Sequence, residues 1–378
     1  MSAVRQWLDR RRQEPKSVAY GPIGVHFTQE HLHLVQLEAL AEGGLDVRCH
    51  ESLAYPGTRA ELMASPKAIR KLVRRAMRAG KFRGRNVVSA MPPEKVRVTS
   101  LSYPANSSGE EAGSILKLMA DRVDGALADY VIDYVPIRMS SRDGERLALV
   151  AVSRLEDVND YLESLRLAGL DVDFLEIGPL AIKRLISSGN ATDQRDHVIV
   201  INIGETTSHI TTISGQRLLA DQEVRFGETS ILNAIAKTLD LTTSVAKELV
   251  LTNGLDPARR ISEIANDNSD NEVVRTLVEI AKPKLLKLVR EINRAFLFAD
   301  SESHGDARKR IFIVGGAARW PGMATLLSSL AKMPVESLGR EHLPFSSNPE
   351  SIATLSDQQA AEMSIAVGLA LRGMSPNE

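Results

Sequence analysis

The chain has 378 residues, of which 43% are hydrophobic and 25% charged, which excludes a disordered or fibrous protein and predicts two or three domains. Its 47 basic residues balance 48 acidic ones and aromatic residues make up only 4%, so no nucleic-acid surface is expected. A single cysteine, Cys49, excludes a disulfide scaffold and a Cys-rich zinc site. No apolar run approaches the ~20 residues of a membrane-spanning helix, so we expect a soluble, cytoplasmic protein.

The first part of the chain predicts a basic tail, a hairpin and a basic helix. Residues 1–17 are rich in arginine and lack the apolar core of a secretory signal, so we interpret them as a tail outside the fold. Ile23–Phe27 and Leu32–Leu40 are apolar, β-rich stretches separated by a polar turn, which predicts a β-hairpin. Lys67–Arg78 repeats apolar residues at helical spacing and carries basic residues on its other faces. That basic face is interpreted as solvated surface, with attraction to an anionic membrane as the alternative.

A separate unit begins at Pro92-Pro93, a pair that interrupts regular structure. The pattern after it predicts a small inserted α+β module. Its predicted order is strand, helix, two strands, helix and strand, at Val96–Leu101, Ser108–Arg122, Val131–Arg138, Leu147–Ser153, Leu155–Ala168 and Val172–Ile177.

The second half of the chain repeats the plan of the first. A second predicted hairpin joins Val198–Ile203 to His209–Ile213 through residues 204–208, which indicates two lobes built on one theme. The remaining predicted elements are a helical region over 228–300 with an acidic, Asn-rich stretch at 263–272, a strand at Ile311–Val314, a helix opened by Pro321, and a helix at Ala360–Arg372.

Neither G-x-x-x-x-G-K-[ST] nor a G-x-G-x-x-G after a strand is present, so the common phosphate loops are excluded. Two facing hairpins can instead present turn N–H groups to a polyphosphate, and a Gly-Gly turn lets backbone lie against a nucleoside. Three segments in this order fit that description, Gly24–Glu30, Ile203–Ser208 and Gly315–Ala317. The predicted nucleotide-binding residues, if binding is retained, are Gly24, Thr28, Gln29, Gly204, Thr206, Thr207, Gly315, Gly316 and Ala317.

Four segments carry a family resemblance: Gly24–Gln29, Val200–Thr207, Ile313–Ala317 followed by Pro321-Gly322, and Ala366–Leu371. Through them most of residues 20–372 resembles the PilM family of type IV pilus assembly and its MSHA-type relatives, and more distantly FtsA. The resemblance implies an α/β, actin-like (ribonuclease H-like) two-lobed fold with an inserted α+β 1C (SHS2-type) subdomain. The implied divisions are a tail at 1–17, subdomain 1A at 18–92 and 176–196, 1C at 93–175, 2A at 197–227 and 308–372, and 2B at 228–307.

The chain departs from the family where a metal ion would be held. His26 and Asn202 stand where the family has acidic residues, and Thr28 stands where it has a glycine that faces phosphate. Neutral His and Asn are poor ligands for Mg²⁺, and Glu205 adds negative charge beside a bound anion. We therefore expect a degenerate ATPase site that requires no cofactor and binds ATP or ADP weakly, if at all. An active ATPase that switches partner affinity is the alternative.

Three histidines lie close together in the sequence, His26, His31 and His33. Strand parity places His31 and His33 on one face and His26 on the other. With no carboxylate or thiol to complete a metal site, we interpret them as solvent-facing strand residues.

The resemblance implies an adaptor that binds the cytoplasmic tail of a bitopic, PilN-like inner-membrane protein in a groove between 1A and 1C. A short tail would lie extended there, held by backbone hydrogen bonds and side-chain pockets. Such a protein is cytoplasmic, peripheral to the inner membrane through its partner, and a homo-oligomer is left open. One wall of the groove is predicted at Met91, Val96, Val98 and Leu101. The alternatives are an FtsA-like filament-forming protein and a sugar or acetate kinase, for which no convincing carboxylate stands near the second hairpin.

Overall fold

The computed structural model describes residues 20–40, 43–104, 111–137, 145–189, 196–256, 268–302, 307–345 and 355–374. Its strands are β1 Tyr20–Phe27, β2 His31–Ala39, β3 Leu45–Ala54, β4 Asn86–Ala90, β5 Val96–Pro104, β6 Tyr130–Ile137, β7 Glu145–Arg154, β8 Asp171–Glu176, β9 His197–Ile203, β10 Ser208–Ser214, β11 Arg217–Val224, β12 Lys309–Gly315 and β13 Val335–Ser337. Its helices are α1 Arg59–Met63, α2 Pro66–Ala79, α3 Glu111–Ala120, α4 Leu155–Ala168, α5 Gly178–Ser188, α6 Glu228–Leu239, α7 Thr243–Asn253, α8 Asn268–Ser301, α9 Met323–Ala331 and α10 Asp357–Ala370.

Two five-stranded sheets have the same topology. The first has the order β3-β2-β1-β4-β8, and the second has the order β11-β10-β9-β12-β13. In each sheet, the three strands that come first in the sequence pair antiparallel with one another. The two strands that come later pair in parallel, one with the first strand and the other with its new neighbour. We call these sheets with their helices the first and second lobes. The repeated order confirms the two lobes that the paired hairpins predicted.

Helices α5 and α10 join the lobes, because both pack in a core that takes residues from both sheets. Two glycines allow this packing. A Cβ at Gly24 of β1 would lie 2.0 Å from the Ala366 carbonyl oxygen of α10, and one at Gly368 would lie 2.1 Å from the Ala181 carbonyl oxygen of α5. The first lobe and α10 are therefore in contact through backbone, which only glycine permits at these positions.

A buried ion pair also holds α5 against α10. Arg184 of α5 donates to both carboxylate oxygens of Glu176, at 2.8 and 2.9 Å, and to the Gly368 carbonyl oxygen at 2.9 Å. A bidentate pair with its remaining donors satisfied is the arrangement in which a buried charge is tolerated. The two central helices thus form a fixed base beneath the space between the lobes.

The inserted module is smaller than the sequence predicted. Strands β5, β7 and β6 form a separate three-stranded sheet, with α3 over one face. Strand β8, placed by the sequence analysis within the module, instead pairs with β4 in the first sheet. Helix α4 also belongs to the first lobe, since Tyr161 and Leu165 lie in its core with α2. The sequence analysis misplaced β8 and α4 because a local pattern of strands and helices does not show which sheet a strand joins or which core a helix packs in.

The other predicted elements are confirmed to within a few residues, with one correction. Pro321 does not open a helix: Gly322 is the N-cap of α9, and Pro321 precedes it. The structure adds β3, β11, β13, α1 and α5, which the sequence analysis did not predict. The tail at 1–17 and residues 263–267 of the acidic stretch lie outside the described residues. Across the described ranges no helix has the length and apolar character needed to span a bilayer.

Candidate nucleotide cleft and partner groove

A cavity of about 1050 Å³ lies between the lobes and extends to the inserted module. Its walls include the ends of β1, β9 and β12, as expected for α/β sheets, which bind ligands beyond the carboxyl ends of their strands. We call the part between the lobes the cleft and the part beside the inserted module the groove. Of the predicted nucleotide residues, the lining includes Thr28, Gln29, Gly204, Thr206, Thr207, Gly315 and Gly316.

Two predicted site residues do not line the cavity. Gly24 contacts α10, as described above, and Ala317 is fully buried in the core of the second lobe. Both residues fit the family pattern, but in this structure Gly24 packs against a helix and Ala317 packs in a core. Sequence alone does not distinguish a glycine required by a ligand from one required by a neighbouring helix.

The first hairpin turn uses its own hydrogen-bonding groups. Thr28 Oγ1 accepts from the backbone N–H of His31 at 2.9 Å and of Glu30 at 3.3 Å, and it donates to the His31 carbonyl oxygen at 3.0 Å. The Thr28 N–H also donates to that oxygen at 2.9 Å. Threonine closes the turn on itself in this way, and fewer N–H groups remain for a phosphate.

The sequence analysis was wrong to treat the three histidines as solvent-facing, because His33 is buried and His26 and His31 are partly buried. His26 lies directly opposite His33 in the β1–β2 ladder, so both share one face, and the ring of His31 stacks on that of His33 with centroids 5.8 Å apart. All three line the cavity. Burial, followed by the charge of Arg59, lowers the pKa of His26 to about 3. Burial and the neighbouring imidazoles His26 and His31 also lower the pKa of His33.

The second hairpin turn is closed by a hydrogen bond within its own backbone. Its Gly204 N–H donates to the Thr207 carbonyl oxygen at 3.1 Å, and a Cβ at Gly204 would lie 2.7 Å from that oxygen. Thr206 is exposed and Thr207 partly exposed toward the cavity. Asn202 precedes the turn and lines the cavity, where its amide supplies no charge.

A carboxylate that the sequence analysis missed lies beside this hairpin. Asp221 accepts a hydrogen bond from Thr211 at 2.7 Å and is 2.9 Å from the His209 Nδ1. Although burial opposes the charged imidazole, Asp221 raises the pKa of His209. Asp221 lies on β11, which was not predicted, so the alternation of polar residues on that strand was the only available signal. Each oxygen of this carboxylate thus lies beside a polar side chain of β10.

The Gly315-Gly316 turn is covered by two polar side chains. Gly315 has φ +84°, and a Cβ there would lie 2.3 Å from Asn202 Oδ1. A Cβ at Gly316 would lie 2.1 Å from Glu228 Oε1. Glu228 is buried, and burial raises the pKa of its carboxyl group to about 7 although Lys247 and Arg319 oppose this. A carboxyl group here offers hydrogen bonds to a sugar hydroxyl, which suits a nucleoside.

Charged side chains connect the lobes across the cleft. Glu30, in the first hairpin turn, forms ion pairs with Lys247 of α7 and with Arg319, whose Nη2 is 3.1 Å from Glu30 Oε2. Arg319 Nε is also 3.3 Å from Glu362 Oε1 of α10. We call Glu30, Lys247, Arg319 and Glu362 the interlobe latch. Partial burial opposes the charged carboxylate, but Lys247 and Arg319 together lower the pKa of Glu30.

The residues present do not fit a magnesium ion. Within the described ranges, no three His, Cys, Asp or Glu side chains are grouped so that they could hold a metal. His26 and Asn202 offer neutral nitrogen and amide groups where a hard cation requires carboxylates or phosphate oxygens. Arg59 instead places a buried positive charge on the same cavity wall.

The groove runs from the end of β4 along the inserted sheet. Met91, Val96 and Val98 line it, as predicted. Leu101 does not: it lies on the opposite face of β5, fully buried in the core under α3. The prediction erred because residues 96 and 98 share a strand face that residue 101 does not. Charged side chains that the sequence analysis missed complete the lining, among them Lys95, Arg97, Arg122, Arg154 and Asp157.

Comparison with known proteins identifies the family. A family model described as type IV pilus assembly protein PilM matches residues 24–374. A solved PilM–PilN type IV pilus biogenesis complex is similar over 96% of this chain and 100% of that chain, with 21% identity and a TM-score of 0.70. Ethanolamine utilization protein EutJ from Carboxydothermus hydrogenoformans is similar over 95% of this chain and 91% of that one, with 14% identity and a TM-score of 0.52. No curated protein matches the sequence.

The family match covers most of the chain, and the solved structures share its fold of two similar lobes. The predicted actin-like fold is therefore confirmed, together with the expectation that this is a pilus assembly protein. The chain belongs to the PilM family of type IV pilus assembly proteins.

Proposed function

We propose that this chain is a cytoplasmic adaptor of a type IV pilus-type machine and binds the cytoplasmic tail of a PilN-like, bitopic inner-membrane protein. Family membership supports a role in a type IV pilus-type machine. The similarity to a structure solved as a PilM–PilN complex supports a partner of the PilN class. The observation that carries the proposal is the groove between the first lobe and the inserted module, lined by apolar residues of β4 and β5.

The groove has the features that an extended peptide requires. Met91, Val96 and Val98 provide an apolar wall, and Arg97 and Arg154 add positive charge at its exposed side. Strand β5 stands at the edge of its sheet, so backbone groups along its outer side are available to a partner strand. Backbone hydrogen bonds of this kind supply affinity, while side-chain pockets supply specificity.

In this proposal the cleft does not hydrolyse ATP. His26 and Asn202 replace the carboxylates that would organise Mg²⁺ and water, and Thr28 closes the first turn on itself. Partner binding, rather than turnover, is then the activity of the protein. Calorimetry with ATP and Mg²⁺ that reveals tight binding with turnover would contradict this part.

The groove is tested by binding of a fluorescent peptide copied from the cytoplasmic tail of the partner. We expect V96D to weaken binding about tenfold or more, because it puts an unpaired carboxylate on the apolar wall. S100D is the matched control, since Ser100 is an exposed residue of the same strand and lies outside the lining. Equal affinity of wild type and V96D, with both variants folded by circular dichroism, would place the partner elsewhere.

A further inference from the structure

Three arginines lie close together at one end of the inserted sheet. Arg97 is the second residue of β5, Arg154 is the last residue of β7, and Arg122 follows α3. Arg97 pairs with Val152 in the β5–β7 ladder, so Arg97 and Arg154 are diagonal neighbours on one face of the sheet. Such neighbours are about 7–8 Å apart, within reach of long side chains. The Arg97 Nη2 also donates to the Arg122 carbonyl oxygen at 2.8 Å. We call these three residues the arginine cluster.

An aromatic ring lies beside the cluster. Tyr130, the first residue of β6, is directly opposite Arg154 in the β6–β7 ladder, and the Arg154 Cζ is 5.7 Å from the centre of its ring. The tyrosine hydroxyl donates to the Asp124 carbonyl oxygen at 2.9 Å, which ties the ring to the segment after Arg122. A guanidinium over an aromatic face keeps its N–H groups available to an anion. The ring therefore orients one guanidinium of the cluster without using its hydrogen-bond donors.

The cluster carries more positive charge than its surroundings neutralise. All three arginines are exposed and line the cavity, and none is ion-paired with a carboxylate in the described parts of the chain. Carboxylates from the neighbouring segments also line the cavity, but Glu94 pairs with Arg59 and Asp157 pairs with Lys95. Asp124 then stands beside three guanidiniums. The module side of the groove therefore attracts negative charge.

We propose that the arginine cluster selects a partner tail that carries an aspartate or glutamate beside its apolar residues. This inference rests on the proposed function, because the cluster lines the same groove as Met91, Val96 and Val98. Arg97 lies on the opposite face of β5 from Val96 and Val98, so an extended segment can meet apolar side chains on one side and the cluster on the other. The groove then recognises two properties of the tail, its apolar residues and the position of a carboxylate.

A carboxylate of the tail suits the chemistry of the cluster. Planar guanidinium groups bind carboxylates through two parallel N–H bonds. Aspartate and glutamate are also the anionic side chains that an unmodified peptide in this groove presents. Because the arginines are exposed, salt screens their attraction for the tail and each contact adds little affinity. The cluster thus contributes more to the choice between partners than to the total affinity for one of them.

Fluorescence anisotropy of the partner-tail peptide tests the cluster in the full chain. We expect R97Q/R122Q/R154Q to weaken binding about tenfold at low salt, from three exposed charge contacts, and to remove most of the salt dependence of the wild type. R70Q/R74Q/R78Q is the matched control, because it removes three exposed arginines of α2 that lie outside the lining. Circular dichroism and thermal unfolding establish that both triple variants are folded.

Changes in the peptide identify the residue that the cluster contacts. The aspartates and glutamates of the tail are replaced one at a time by asparagine or glutamine. One of these replacements should weaken binding to the wild type but change little for R97Q/R122Q/R154Q, since coupled partners do not contribute independently. A lysine at that position should weaken binding further, and R154E should recover part of that loss.

Three results would overturn the inference. They are groove binding by a tail that has no aspartate or glutamate, equal affinities of the wild type and folded R97Q/R122Q/R154Q for the tail, and a loss in that variant confined to sedimentation with phosphatidylglycerol-containing vesicles. The last result would assign the cluster to a lipid surface. V96D separates these failures from failure of the proposed function. If V96D weakens binding and R97Q/R122Q/R154Q does not, the groove binds the tail without selecting its charge. If neither variant weakens binding, both proposals fail.

Discussion

A single side chain changes what the first hairpin turn can bind. Thr28 accepts from the N–H groups of Glu30 and His31, which a glycine at this position would leave available. The turn is held further by Tyr55, whose hydroxyl lies 2.8 Å from the Thr28 carbonyl oxygen and 2.7 Å from that of His31. Side chains of the protein itself, Thr28 and Tyr55, therefore hold this turn.

Glu228 makes the stability of the protein depend on pH. Because burial raises the pKa of this carboxyl group from 4.5 to about 7, the folded protein binds a proton that the unfolded chain has released between these values. The free energy of unfolding therefore falls as the pH rises through this range and stays lower above it. Glutamine has the shape of the neutral acid and does not ionise.

We expect E228Q to change stability little at pH 5 and to stabilise the protein by about 1–3 kcal/mol at pH 8, from ~1.4 kcal/mol per pKa unit. Urea unfolding at both pH values measures this difference. E248Q is the control, since Glu248 is an exposed residue of α7. A gain from E228Q that is the same at pH 5 and pH 8 would contradict a raised pKa for Glu228.

At the scale of elements, the sequence analysis correctly predicted the helices and strands whose apolar residues recur at a regular spacing. Helix α2 was placed nearly to the residue, because apolar residues recur along its one buried face. Strands β3 and β11 were missed because polar residues interrupt their alternation, as in the segment Asp46 to Ser52. Because β11 was not predicted, Asp221 was not included in the predicted site.

The candidate site was predicted less completely than the fold. The turns were located from glycine and threonine patterns, but Arg59 lies in a five-residue helix whose sequence signal, the Thr58–Glu61 capping box, was overlooked. The environment of the histidines was predicted wrongly. The alternation of side chains along one strand does not show which residues of the neighbouring strand lie opposite them. His26 and His33 share a face through the hairpin pairing. Such contacts depend on tertiary structure, which a local pattern does not contain.

Helix α2 presents a basic surface that suits a membrane-associated machine. Arg70, Arg74 and Arg78 are exposed, while Ile69 and Val73 are buried in the first lobe. Each basic residue near an anionic bilayer contributes about 1 kcal/mol of attraction. We propose that this face adds attraction to an anionic inner leaflet to the binding of the partner tail proposed above.

We expect the charge reversal R70E/R74E/R78E to reduce sedimentation with phosphatidylglycerol-containing vesicles by at least about tenfold, with no loss of stability, since the changed residues are exposed. K282E/K287E/R290E reverses three exposed charges on α8 and serves as the control. High salt should abolish wild-type binding to the vesicles. Equal recovery of the α2 variant and the wild type would show that this face is ordinary solvated surface.

At the scale of the whole molecule, the two lobes share a fixed base and an ionic closure. Helices α5 and α10 form the base, with close backbone contacts at Gly24 and Gly368. The interlobe latch lies on the other side of the cleft, where Glu30 of the first lobe meets Lys247 and Arg319 of the second. The lobes can thus separate only by breaking ion pairs that are partly exposed and salt-sensitive.

We expect E30Q to open the cleft, because it removes the carboxylate common to two of the latch pairs. Partly exposed pairs contribute about 0.2–1 kcal/mol each, so their loss shifts the closed-to-open ratio several-fold. Spin labels at K71C and K237C, in a C49S background, report the distance between the lobes by pulsed electron resonance. The E30Q variant should show a longer and broader distance distribution, and high salt should produce the same change in the wild type.

The control for this experiment is E248Q, because Glu248 is an exposed neighbour of Lys247 on α7 and is not part of the latch. If E30Q opens the cleft by removing the latch, salt should have little further effect on its distance distribution. An E30Q distribution identical to that of the wild type at low salt would show that α5 and α10 alone set the distance between the lobes.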